Sequence, residues 1–281
     1  GLGKGVAALR GAIAQQRPLT VNLGAGSDVV TTGTASDIFN VKGDGFFDDS
    51  DNLNGNQGSD TLNLDGDTTI TAASLFSGIE QVNLGTRRDE SGSNGHTYTI
   101  TVDNGNAPTL NGTLTIDGNT LAADTDGLGP LTAETVVFNS AAVTNYAVNI
   151  TTGAADDTIN TSGAQVDTVT SGAGNDAVTG VNDTINTGAG IDTVTLLSGT
   201  NTVLTESGND TVTLGTGDDT VNTGADADTV IAGANLTAND VLDGGLDANL
   251  LRVNAGSVDN NYLNVDNFQT LQIDTSGNTV L

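Results

Sequence analysis

Between residues 151 and 253 one aliphatic residue recurs about every nine positions, between neighbours that are mostly Thr, Asn or Asp. Read as blocks, the segment runs TGAADDTIN, SGAQVDTVT, SGAGNDAVT, a shortened GVNDTIN, TGAGIDTVT, a degenerate LLSGTNTVL, TESGNDTVT, LGTGDDTVN and TGADADTVI. Each block has the form Gly-x-Gly-x-Asp-x-(Val/Ile)-x. Asp-x-Val-x predicts a short strand whose β-branched residue points inward and whose neighbours point outward. Gly-x-Gly-x predicts a turn with positive φ and close backbone approach. Burying one Val stabilises by about 1.5–3 kcal/mol, whereas ordering a residue costs roughly 1–2 kcal/mol. A single block therefore cannot fold, but stacked blocks line Ile159, Val169, Val178, Ile185, Val194, Val203, Val212, Val221 and Val230 into one apolar ladder. The pattern predicts a parallel β-solenoid.

The same pattern appears, more loosely, near the start: LGAGSDVVT from Leu23, TGTASDIFN from Thr32, and GNQGSDTLN ending at Asn63. Residues 65–150 lack the block yet remain strand-rich, as in HTYTITVDN and GTLTIDGN. Three segments, SGIEQVNLG at 77–85, TAETVVFNS at 132–140 and DNFQTLQID at 266–274, set an acid or Gln before an apolar run. We expect them to close or extend the rolls and protect their open ends. Residues 86–150 form either a small β-sandwich-like insert or wider solenoid turns. The opening GLGKGVAALRGAIAQQRP spaces Val6, Leu9 and Ile13 for a short helix that Pro18 ends. The expected architecture is all-β, with parallel β-roll segments, a strand-rich insert and a short N-terminal helical arm. Its parts are 1–20 (basic arm), 21–64 (short β-roll), 65–150 (insert and cap), 151–253 (main β-roll) and 254–281 (cap strands). KGDGFFDDSDNLNGN, 42–56, interrupts the first roll, either as a further cation loop or contact patch around Phe46 and Phe47 or as a solvated loop with one Phe inside.

Charge changes the picture. The 281 residues carry 35 acids, only four of them Glu, against 7 bases, for a net charge of -28. No Lys or Arg occurs from Asp89 through Leu251, while Lys4, Arg10 and Arg17 cluster at the start. That arm is a candidate for docking on an acidic surface, its own or a neighbour's; the alternative is a helix that caps the first turn. The missing Met predicts a processed or truncated chain. Without Cys there is no disulfide and no thiolate metal site. Nucleic acid is a poor partner for so acidic a chain, and no apolar run is long enough for a transmembrane helix.

These blocks resemble the glycine- and aspartate-rich nonapeptides of the RTX family, most clearly from Gly153 to Val230. The resemblance implies a parallel β-roll that holds several Ca²⁺ ions in its turns, between Asp carboxylates and backbone carbonyls. Carried over, it implies metal positions at Asp28, Asp37 and Asp60 in the first stretch. In the main stretch it implies Asp157, Asp167, Asp176, Asp183, Asp192, Asp210, Asp219 and Asp228, beside turn glycines Gly153, Gly172, Gly174, Gly188, Gly190, Gly215 and Gly217. Alternate blocks fall on opposite edges. One edge carries Asp157, Asp176, Asp192, Asp210 and Asp228 without a break. The other carries Asp167, Asp183, Asn201, Asp219 and Asp240, broken by the Asn and by uneven spacing. The predicted roll is asymmetric, with one loaded and one patchy edge; Glu206 and Asp226 also stand at glycine positions. The competing reading makes each Asp a metal-free Asx-turn acceptor. Metal is favoured because Asn would serve an Asx-turn equally well, because stacking sets like charges about 5 Å apart, and because no base in the segment supplies counter-charge.

Catalysis is not expected. The single His96 lies in a polar Gly/Ser/Asn context, the carboxylates belong to a repeat, and a sugar cleft would need bases and aromatic rings that 89–251 lacks. The length leaves no room for the separate enzyme or toxin domain to which RTX repeats are often attached. The expected role is an extracellular structural protein, a Ca²⁺-stabilised β-roll that self-associates or decorates a cell surface, as in surface layers. The alternatives are a phage virion decoration or fibre protein, docked on the capsid through the N-terminal arm, and a spacer within a large adhesin.

Overall fold

A computed structural model describes residues 17–43, 45–48, 50–70, 76–85, 97–108, 112–118, 134–254 and 264–274. The expected N-terminal helix lies mainly in 1–16, and His96 and the terminal TSGNTVL also fall outside the described residues. Among the described residues there is no α-helix, every strand pairing is parallel, and the protein is an all-β parallel solenoid. Two compact units divide it, Gly1–Thr158 with Gly163–Gln165, and Ile159–Ser162 with Val166–Leu281.

In the second unit the strands alternate between two stacks, one block to each side. One stack runs Thr168–Thr170, Thr184–Asn186, Thr202–Leu204, Thr220–Asn222, Val241–Asp243 and Val265–Asp266. The other runs Ala177–Gly180, Thr193–Leu196, Thr211–Thr213, Thr229–Gly233, Leu250–Asn254 and Thr270–Asp274. Register is set by the apolar ladder, since a one-residue slip would turn every aliphatic residue outward. Val169, Ile185, Val203, Val221 and Leu242 pair in one file, and Val178, Val194, Val212, Val230 and Leu251 in the other. All ten are buried. Thr270–Asp274 extends the second stack over buried Leu251 and Val253, and its own Leu271 and Ile273, in register with them, are about half exposed.

The first unit uses the same principle with longer turns and larger side chains. Thr20–Leu23, Ile38–Lys42, Thr61–Asp65, Gln81–Leu84, Thr113–Asp117 and Ala147–Thr151 make one stack. Phe39, Leu62, Val82, Ile116 and Ile150 follow one another in its buried file. Thr68–Ile70, Thr97–Asp103 and Thr135–Ala142 make a second stack. Val29–Thr31, Asn52–Asn54 and Phe76–Ser77 make a third, short one. The described part of 65–150 is thus solenoid with wide turns rather than a sandwich. Within 42–56, Asn52–Asn54 is itself a rung, and Phe47 is the Phe that turns inward.

Candidate metal-binding turns

Most strands of the repeat segment are entered through an Asp that is almost completely enclosed. Asp176, Asp183, Asp192, Asp210, Asp219 and Asp228 are all at most 1% exposed. Their burial follows from the strand alternation: two positions before the inward aliphatic residue, the side chain also points inward. There, one carboxylate oxygen of each accepts the backbone N–H of the corresponding residue in the preceding turn. The N–H of Asp176 donates to Asp192 Oδ1, that of Asp192 to Asp210 Oδ1 and that of Asp210 to Asp228 Oδ1, each at 2.8 Å. The second edge runs Asp167, Asp183, Asn201, Asp219 and Asp240 by the same bond at 2.8–3.2 Å. From Asp176 on the first edge and Asp167 on the second, the columns follow the order the repeat predicts. Asp157 lies in the first unit, where it accepts the N–H of Val136.

The other oxygen separates the two edges. On the first, Oδ2 of Asp192, Asp210 and Asp228 is buried and receives no hydrogen bond. Thr205 and Thr223 stand beside Asp210 and Asp228, but their hydroxyls donate to the carbonyls of Thr223 and Gly244. On the second edge Asp183 Oδ2 accepts from the Thr161 hydroxyl and the Val181 N–H, at 2.8 and 2.9 Å. Asp240 Oδ2 accepts the N–H of Thr237. Asn201 turns its amide nitrogen onto the carbonyls of Ser198 and Gly199 and onto Asp219 Oδ1. Asp219 there keeps an orphaned oxygen resembling those of the first edge. Asp183 Oδ2 thus has two protein donors, Thr161 from another turn and Val181 from its own shortened block.

Burial shows in the protonation equilibria. It raises Asp183 and Asp210 to about 7, against hydrogen bonds that hold them down, and it raises Asp219 and Asp228 as well. A desolvated carboxylate without a counter-ion prefers its neutral form.

The turn glycines explain how the columns stack. Gly172, Gly174, Gly188, Gly190 and Gly217 all have φ between 87° and 151°, whereas Gly153 and Gly215 are not among the positive-φ residues. A Cβ on Gly188 would stand 2.0 Å from the Gly172 carbonyl oxygen, and one on Gly190 would stand 1.7 Å from that of Gly174. Glu206, at 67°, and Asp226, at 80°, hold the same left-handed backbone with exposed side chains, Glu206 Oε1 accepting from Asn186 Nδ2 and Asp226 Oδ2 from the Gly208 N–H.

A model of the RTX calcium-binding nonapeptide repeat matches in four overlapping copies, over residues 149–178, 163–194, 178–212 and 204–235. This segment is an RTX calcium-binding repeat array. It covers about a third of the chain. No curated protein and no solved structure matches the chain. The RTX turns fit Ca²⁺ by their own chemistry. They offer hard oxygens only, an orphaned carboxylate oxygen and turn carbonyls, in a backbone held open by glycine. Among the described residues no three carboxylate or imidazole groups converge, so carbonyls and water would complete the six to eight ligands that Ca²⁺ takes. Asp192, Asp210, Asp219 and Asp228 are the carboxylates that would hold it.

The first unit carries shorter columns of the same kind. Leu19 N–H donates to Asp37, Asp37 N–H to Asp60, and Asp60 N–H to Glu80 Oε2, at 2.7 Å each. Oδ2 of Asp37 and of Asp60 is orphaned. Asp28 belongs to a different column, where its N–H donates to Asp51. Sequence reasoning missed Asp51, Glu80, Asn249 and Gln269 as column members. Glu80 and Gln269 sit just before the apolar runs singled out as caps, and that placement was the available signal.

Proposed function

We propose that the protein is an extracellular structural module whose RTX roll is locked by Ca²⁺ and which packs copy against copy on a surface. The observation that carries the reading is the first-edge column of Asp192, Asp210 and Asp228, whose inner oxygens are buried without a donor in a segment that has no Lys or Arg. Such a column is self-repelling without a cation and cross-linked with one, so binding is linked to folding. RTX repeats are typical of secreted proteins, and among the described residues no helix is long and apolar enough to cross a membrane. A rigid, repetitive, acidic roll is suited to a layer in which further Ca²⁺ bridges neighbouring copies, and the roll is a structural type of fold rather than an enzyme scaffold.

Chelation followed by circular dichroism and light scattering during Ca²⁺ addition tests both parts. Chelation should lower the melting temperature and strand signal, and Ca²⁺ should restore them and raise scattering as ordered assemblies form. Unchanged melting after chelation would remove the Ca²⁺ lock. Restored folding with a strictly monomeric chain would remove the lattice and leave a spacer.

A further inference from the structure

We propose that the outer face of the first-unit stack carries a groove for a neutral saccharide, held by the carboxamides of Asn40, Asn63 and Asn83 on one side and by Lys42 and Asp65 on the other. The site goes beyond the structural role and does not depend on whether the RTX turns hold Ca²⁺.

The groove crosses three consecutive rungs, Ile38–Lys42, Thr61–Asp65 and Gln81–Leu84, and has a volume of about 320 Å³. Strand alternation sorts its lining. Val41, Leu64 and Leu84 are buried toward the core, so their backbone forms the floor. The residues before and after them make two walls. One wall is Asn40, Asn63 and Asn83, and the other is Lys42, Asp65 and Gly85. Lys42 and Asp65 stand in register. The third position of that wall has no side chain. A Cβ on Gly85 would stand 3.1 Å from the Leu64 carbonyl oxygen and 3.5 Å from Asp65 Cγ, so glycine leaves the space beside Asp65 open.

The amide wall is ordered before any ligand arrives. Asn83 Nδ2 donates to Asn63 Oδ1 at 2.7 Å, Asn63 Nδ2 to Asn40 Oδ1 at 2.8 Å, and Asn40 Nδ2 to Asn22 Oδ1 at 3.1 Å. The bonds run in one sense, so each amide polarises the next. A carboxamide has two N–H groups and two acceptor lone pairs, and the ladder uses one of each on Asn40 and on Asn63. A second donor and a second acceptor on each rung thus lie outside the ladder, about 4.8 Å from those of the next rung. Side chains already fixed in this way lower the ordering cost of binding. Stacking alone does not require such a row. In the second unit the row one residue past the apolar file runs Thr170, Asn186, Leu204 and Asn222, broken by Leu204 and with Asn186 turned onto Glu206.

The donors and acceptors select the ligand. A hydroxyl both donates and accepts, as each rung does, and a saccharide presents hydroxyls on successive carbons. Lys42 and Asp65 add a strong donor and a strong acceptor whose charges cancel, which suits a ligand without net charge. A nucleic acid would bring phosphates to a chain of net charge -28. An added peptide strand pairs with a sheet edge, whereas this groove lies on a sheet face whose backbone already bonds rung to rung.

Native affinity electrophoresis of the full chain, in Ca²⁺-containing gels with dextran, mannan or laminarin, tests the site. At least one of these should retard the protein. Asn63→Leu should abolish the retardation, and Lys42→Ala should weaken the affinity about three- to tenfold, as for one lost hydrogen bond. Circular dichroism melts of both variants separate a lost contact from a lost fold, and the exposed Lys42 keeps the test valid should Asn63→Leu unfold. No retardation by any of the three, or retardation that both variants leave unchanged, would overturn the site. Retardation by hyaluronate alone would overturn the neutral class, since a ligand carboxylate would then be what Lys42 holds.

Discussion

Replacing Gly188 with Ala would set a methyl group 2.0 Å from the Gly172 carbonyl oxygen, on a backbone whose φ is 87°. Both the contact and the left-handed conformation count against it, so Gly188→Ala should cost at least about 2 kcal/mol, read as a lower urea midpoint. Glu206→Gly should move the midpoint the other way, by up to about 1 kcal/mol, because the left-handed strain it relieves outweighs the exposed hydrogen bond from Asn186 Nδ2 that it removes. The neighbouring positions show how much turns on one atom. Asp192 and Asn201 are equally buried and make equivalent backbone hydrogen bonds, yet the second polar atom of one is an orphaned acceptor and that of the other a donor to two carbonyls. The choice between Asp and Asn decides whether a turn asks for an ion.

At the scale of a strand and its turn, the nonapeptide was fully legible. One aliphatic residue in nine and an Asp two places before it fix strand, register and column, because only one phase buries both. The segments read as caps were legible only in part. Glu80 precedes Gln81–Leu84, and Gln269 precedes Thr270–Asp274, as Asp precedes Thr and Val in each repeat. Each accepts the N–H of the column residue before it, Asp60 or Asn249. A longer side chain reaching the same donor is invisible to a motif written for Asp. Glu80→Gln should therefore leave stability unchanged or raise it in chelator, since the acceptor remains and a buried like charge disappears. Glu80→Ala strands the buried N–H of Asp60 and should cost about 1–3 kcal/mol. Thermal melts of the two variants side by side would separate hydrogen bonding from charge.

For the whole molecule the net charge of -28 becomes a statement about pH. Burial lifts Asp60, Asp183 and Asp210 to about 7 and Asp157 to about 6, from 3.8 when exposed. Between these values the metal-free folded chain keeps protons that the unfolded chain has released. Their contribution to stability is complete below about pH 4 and is lost as pH rises through 6 to 7. Metal-free protein should melt higher at pH 5 than at pH 7.5, and Ca²⁺ at pH 7.5 should recover the difference. A metal-free melting temperature that rose over this interval would show that the carboxyls are not buried as described.

The sequence by itself determined the parallel roll, its apolar ladder, the two Asp columns and the oxygen-only chemistry of their turns. These follow from a local period, because strand alternation and turn conformation act over nine residues and repeat. It could not say whether 86–150 was a sandwich or wider turns, since the wide turns carry no period to read. Nor could it say which carboxylates remain without donors. Asp183 is satisfied by Thr161 from another turn, Asn201 turns its amide onto Asp219 Oδ1, and Asp60 Oδ2 lies beside the carbonyl of Gly78. Those relations join residues about twenty positions apart, and only the stacking of one turn on the next brings them together.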